Sequence, residues 1–138
     1  MKNALIVDDH PSVRLALRYT LEKLGFSHMD ECDNGVDAIR LIKKNSYQIV
    51  ILDIGIPAMD GMSVISAVRK AENHAHILVF TSQPQEVYAS RSITVGASGF
   101  VSKTHDMDTV ASAVKAIMDG RSDNPSVRKM NLADNFLL

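Results

Sequence analysis

Along the chain, short unbroken apolar runs alternate with longer stretches in which apolar residues return every three or four positions. Four runs are continuous: Ala4–Val7 (ALIV), Ile49–Leu52 (IVIL), Ile77–Phe80 (ILVF) and Gly99–Val101 (GFV). Strands buried on both faces read this way, because a parallel sheet is covered by helices above and below. A fifth candidate, His28–Cys32 (HMDEC), is more polar and suits an edge strand. The segments between carry the helical period. Pro11 opens the first helix where a missing N–H is no loss, Val13, Leu17, Leu21 and Leu24 share one face, and Gly25 ends it. Asn34 is placed to cap a second helix with Val36, Ile39 and Ile42 inward, and Asp60 a third with Met62, Ile65 and Val68 inward. Pro84–Ala97 is a weaker helix with few residues to face a core. Asp106 caps a fifth, with Met107, Val110, Val114 and Ile117 inward and Gly120 at its end. Strand then helix, five times over, predicts a doubly wound (βα)5 α/β domain with right-handed crossovers and a parallel five-stranded sheet.

Composition narrows what such a domain can do. At 138 residues the chain is one domain, long enough for a real core. With 15 basic and 16 acidic side chains the net charge is −1, so no overall field favours nucleic acid or an anionic membrane. DNA binding by this chain alone is therefore not expected. The single Cys32 excludes an internal disulfide framework and fits a reducing cytosol, so a cytoplasmic location is expected. The opening MKNALIVDDHP has too short an apolar run for a signal peptide. No apolar stretch approaches the ~20 residues of a membrane span. After Gly120 the sequence RSDNPSVRKMNLADNFLL turns polar and finishes on Phe136, Leu137 and Leu138. Residues 1–120 are expected to form the domain and residues 121–138 a flexible tail or truncated linker, rather than a short helix docking on a partner.

The acids change the picture most. Asp8 and Asp9 follow the first apolar run, and Asp53 follows IVIL. In open α/β sheets, ligands bind beyond the strand C-termini where the strand order switches, which for the order 2-1-3-4-5 lies between strands one and three. These three carboxylates then converge on one crevice. Ionised together they repel, so either one keeps a proton or a cation sits among them. Oxygen-only ligands on a loop suit a hard ion, and Mg²⁺ is the expected cofactor. Mg²⁺ is commonly held by one or two carboxylates plus a substrate phosphate, which leaves a carboxylate free as a nucleophile toward phosphorus. Thr81 ends the fourth strand and Lys103 follows the fifth. A hydroxyl and an ammonium there could hold two oxygens of a transferring phosphoryl group.

The stretches VDD (Val7–Asp9), LDIGIPAMDG (Leu52–Gly61), FTS (Phe80–Ser82) and GASGFVSK (Gly96–Lys103) resemble the receiver domain of two-component response regulators, with its flavodoxin-like fold, over about residues 2–120. DDHP at Asp8–Pro11 and the Ala-Ser-Gly-Phe-Val run look most like the NarL/FixJ subfamily, and LDIGIP and TSQP look closest to BvgA-type regulators. The resemblance implies that Asp53 accepts a phosphoryl group from a sensor histidine kinase. It implies that Asp9, Asp53 and the Gly55 carbonyl bind Mg²⁺ directly, with Asp8 acting through water. It implies that Thr81 and Lys103 hold the phosphoryl group and that Phe100 is the switch aromatic, moving inward from outside as Thr81 turns. It further implies a phosphorylation-dependent homodimer. Helix four, the outer face of helix five and helix one are the candidate surfaces.

Lys103 precedes Thr104 where many receivers have Pro, and a cis bond there would cost ~2.5–4 kcal/mol, so trans is expected. The helix-turn-helix domain usual in the NarL/FixJ subfamily is absent from this sequence, which leaves either an isolated receiver or a stand-alone one acting by protein contact. The rival from another class is an aspartyl-phosphate hydrolase of the haloacid dehalogenase type. That chemistry needs a second acid two residues after the nucleophile, and here the position is Gly55. His10 could take part in phosphotransfer, but its place beside Pro11 at a helix start favours a structural role. Met29, Met59 and Met62 suit packing or surface positions rather than ligands. The pairs Arg69-Lys70 and Arg128-Lys129 are expected on solvated faces.

Overall fold

The computed structural model describes residues 2–120 together with 136–137. The elements run β1 (Asn3–Val7), α1 (Pro11–Lys23), β2 (His28–Cys32), α2 (Gly35–Lys44), β3 (Ile49–Leu52), α3 (Gly61–Lys70), β4 (His76–Thr81), α4 (Gln85–Val95), β5 (Gly99–Ser102), α5 (Met107–Met118) and β6 (Phe136–Leu137). The sheet order is β2-β1-β3-β4-β5-β6. The first five strands pair in parallel, in the order anticipated from the sequence. The two-residue β6 was not anticipated. It lies antiparallel to β5, with Gly99 opposite Leu137 and Phe100 opposite Phe136. The rest of the expected tail, residues 121–135 and 138, lies outside the described residues, and Arg128 and Lys129 with it.

Strand alternation divides the apolar residues between two cores. Leu5, Val7, Val50, Leu52, Ile77 and Val79 join α2, α3 and α4 on one face. Ala4, Ile6, Ile49, Ile51, Leu78 and Phe80 join α1 and α5 on the other. This two-sided burial is why the central strands show no polar alternation. The expected caps form. The side chains of Asn34, Asp60 and Asp106 accept hydrogen bonds from the backbone N–H of Asp37, Ser63 and Thr109. Gly25, with φ of 94°, follows α1 in the left-handed region that glycine tolerates. In α4 only Ala89 and Ser92 are buried, which explains its faint apolar pattern.

Two expectations are corrected. Val36 is 51% exposed, because Ala38 and Ile42 turn inward and Ile39 and Leu41 pack at the margin. Arg69 is not on a solvated face. Half-buried at the end of α3, it donates from Nε to the Gly96 carbonyl (3.0 Å) and from Nη1 to the Asn73 carbonyl (2.8 Å).

Close approach explains Gly61 at the start of α3. A Cβ there would overlap the backbone and side chain of Ile54, one residue beyond Asp53. Gly61→Ala is expected to destabilise the protein by about 1–3 kcal/mol through overpacking. Thermal unfolding checks this, and an unchanged Tm would contradict it.

Candidate functional site

The register brings the strand ends level. Val7 pairs with Leu52, Leu52 with Val79, and Thr81 with Ser102. Backbone hydrogen bonds continue the ladder into the loops. Asp8 N–H donates to the Cys32 carbonyl (3.1 Å), Asp53 N–H to Val7 (3.0 Å) and Lys103 N–H to Thr81 (2.8 Å). The sequence-predicted residues Asp8, Asp9, Asp53, Thr81 and Lys103 therefore share one crevice, fixed by the sheet rather than by mobile loops.

Asp53 is 4% exposed and Thr81 fully buried. The Asp53 carboxylate is gripped on both oxygens. Oδ1 accepts from the Thr81 hydroxyl (2.7 Å) and from the Gly55 N–H (2.9 Å), and Oδ2 accepts from Lys103 Nζ (2.9 Å). Lys103 Nζ also lies 2.7 Å from Asp8 Oδ2, so one ammonium bridges two buried carboxylates. Burial alone would raise the pKa of Asp53, but the bonds from Thr81, Gly55 and Lys103 outweigh it and hold the carboxyl below its ordinary value. Burial likewise works to lower the pKa of Lys103, and Asp8 and Asp53 together hold it above the ordinary value. Both groups are thus charged at neutral pH. An ionised carboxylate beside a hydroxyl and an ammonium is equipped to attack phosphorus while its neighbours take up phosphoryl oxygens.

The same crevice suits a hard cation. One ligand atom each from Asp8, Asp9, His10 and Asp53 lies within 4.8 Å of all the others. Gly55, whose carbonyl the resemblance names as a ligand, sits exposed beside Asp53, with the Gln83 side chain over it.

Phe100 does not rest outside, as expected of a switch aromatic. It is fully buried, and Thr81 already points at Asp53. Phe100 packs in the cluster that holds Ala89 and Ala97, on the α4 side of the sheet. The Lys103–Thr104 bond is trans, as expected, since there are no cis peptides among the described residues. Thr104 instead turns back on β5, where its backbone N–H donates to Ser102 Oγ (3.2 Å).

Of two neighbours of the acids, the sequence marks His10 as a structural helix-start residue and does not single out Arg14. His10 caps α1 without a side-chain cap bond, and its Nδ1 turns to Asp8 Oδ1 (2.9 Å) and Asp9 Oδ1 (3.1 Å). Arg14 donates from Nη1 to the Asp8 carbonyl (2.6 Å) and from Nε to Glu31 (3.0 Å), pinning the acidic loop to β2. Only the placement of Arg14 one turn after His10 hinted at this.

Comparison with known proteins gives a consistent set of likenesses. Residues 4–115 match the family described as response regulator receiver domain. Over 133 residues the chain is 40% identical to the virulence-factor transcription regulator BvgA of Bordetella pertussis (strain Tohama I), covering 95% of this chain. It spans only 64% of that relative's length. It resembles a solved two-component response regulator of the LuxR family from Aurantimonas sp. SI85-9A1, with a TM-score of 0.80 and 31% identity over 86% of this chain and 85% of the other. It also resembles a chain in the CheX-CheY-BeF3-Mg²⁺ complex from Borrelia burgdorferi, with a TM-score of 0.80 and 27% identity over 85% of this chain and 89% of that one.

Proposed function

We propose that this chain, which belongs to the response regulator receiver domain family, works as a phosphorylation switch with Asp53 as the phosphoryl acceptor. The observation that carries the reading is the Asp53 carboxylate at the switch point of the sheet. It is held ionised by Thr81, Gly55 and Lys103, with two further acids beside it. In the step we envisage, an Asp53 oxygen forms a bond to phosphorus. The bond from phosphorus to the donor breaks and its electron pair leaves with the donor, a sensor histidine kinase in the cell or acetate when acetyl phosphate is used. Lys103 and Thr81 then turn from the carboxylate to the phosphoryl oxygens. Asp9, Asp53 and the Gly55 carbonyl would hold Mg²⁺ directly and Asp8 through water. Bound there, Mg²⁺ would offset the repulsion between the acids and the incoming phosphate.

The output we propose is a two-state shift biased by contacts unique to the phosphorylated form. Because Phe100 is already inside, the movement would start from Thr81 exchanging Asp53 for a phosphoryl oxygen. It would pass through Phe100 to α4 and β5, favouring association of two copies. In a longer regulator similar to BvgA this would govern an attached DNA-binding domain. The described helices include none long and apolar enough to cross a membrane.

Incubation with acetyl phosphate and Mg²⁺ is expected to add one phosphoryl group per chain, seen by intact mass. A phosphate monoester in excess should not be turned over, because Gly55 supplies no general acid two residues after Asp53. Steady hydrolysis of p-nitrophenyl phosphate would overturn the switch in favour of a hydrolase.

A further inference from the structure

We propose that His10 is a fourth protein donor at the acidic crevice and biases the site toward first-row transition divalent cations over Mg²⁺. This rests on the reading that the crevice holds a divalent cation.

A helix N-cap side chain ordinarily turns toward its own first turn. His10 does not. The first turn of α1 takes the His10 carbonyl, through the N–H groups of Val13 and Arg14, and the imidazole faces backward to the acids. Its Nδ1 stands 2.9 Å from Asp8 Oδ1 and 3.1 Å from Asp9 Oδ1. Adjacent donors on an octahedral ion with bonds of about 2.1 Å stand about 3.0 Å apart, and opposite donors about 4.2 Å. The distance to Asp9 Oδ1 is that of adjacent positions, with Asp8 keeping its water-mediated place, and the 4.8 Å within which all the cluster's donor atoms lie is somewhat longer than that of opposite ones.

The ring is also prepositioned. His10 N–H donates to the same Asp8 Oδ1 (2.9 Å), Arg14 holds the Asp8 carbonyl, and Pro11 fixes the next residue at the helix start. The side chain is 60% exposed, so a hydrated ion can reach it. A neutral imidazole that carries its proton on Nε2 offers the Nδ1 lone pair to a metal. Mg²⁺ takes oxygen donors and gains little from that nitrogen, whereas Co²⁺, Ni²⁺ and Zn²⁺ accept it readily. The plain alternative is that the ring only hydrogen-bonds the acids and shapes them equally for any cation.

Calorimetric titration of the full chain with Co²⁺ and with Mg²⁺ separates the two, using wild type and His10→Ala. The variant removes no cap bond, so it should fold, as circular dichroism will show. We expect His10→Ala to weaken Co²⁺ binding by about tenfold or more. Mg²⁺ affinity should stay nearly constant, and the visible absorption of bound Co²⁺ should change with loss of the nitrogen donor. An unchanged Co²⁺ affinity, or equal weakening of both cations, would overturn the role of His10 while leaving the crevice a cation site. Failure of wild type to bind either cation would overturn both.

Discussion

Replacing Lys103 with Met is expected to destabilise the protein by about 3 kcal/mol at neutral pH, because removing one partner strands buried charge. Lys103 is 13% exposed, and the Asp8 and Asp53 side chains it bridges are 2% and 4% exposed. Without the ammonium these two carboxylates face each other in a poorly solvated crevice. The pH dependence has a definite sign. Asp53 titrates below the ordinary 3.8, so its contribution is present above that value and fades as pH falls through its folded pKa. Lys103 titrates above the ordinary 10.5, so its contribution is present below that value and fades as pH rises through its folded pKa. The gap between wild type and Lys103→Met should therefore be widest between those limits, and narrow in acid as Asp53 protonates. Added Mg²⁺ should restore part of the loss by replacing one cation with another. Urea unfolding at several pH values measures this, and a pH-independent difference near zero would contradict the bridge.

Removing the cation is expected to have an effect of similar size on chemistry. Asp9→Ala, or wild type in excess chelator, should slow phosphorylation by acetyl phosphate at least about 100-fold, since a metal can supply several kcal/mol of charge stabilisation and each 1.36 kcal/mol is tenfold. Asp9 is the exposed acid at the crevice mouth, whereas Asp8 and Asp53 share Lys103. Loss of Asp9 should therefore weaken Mg²⁺ binding while folding is kept. Phosphorylation that proceeds undiminished in chelator would remove the cation from the account.

Much of this arrangement was legible in the chain. Short, β-branched continuous runs such as IVIL, bounded by turn signals, read as strands covered on both sides, and the repeat of strand and helix sets where their C-termini lie. An acid at the end of such a run has nowhere to go but the crevice. What stayed hidden depends on side-chain direction and on contacts distant in sequence. Val36 and Ala38, two positions apart, fall on opposite faces of α2, and the face that carries Ala38 and Ile42 is the one that is buried. Arg69 reads as a solvated charge until Gly96, at φ of 122° beneath it, brings a carbonyl within reach. His10 looked like a helix-start residue because nothing in DDHP says which way the ring turns. Phe100 was expected outside because the resemblance implied it and no sequence pattern reports a rotamer, and β6, only two residues long, is too short to announce itself.

The identity of the acceptor is the claim on which the rest depends. Wild type treated with acetyl phosphate and Mg²⁺, then reduced with borohydride to convert an acyl phosphate to homoserine, should show homoserine at position 53 in peptide mass mapping. The Asp53→Asn protein should show none. Homoserine at position 8 or 9, phosphate retained on His10, or equal labelling of Asp53→Asn would contradict the account.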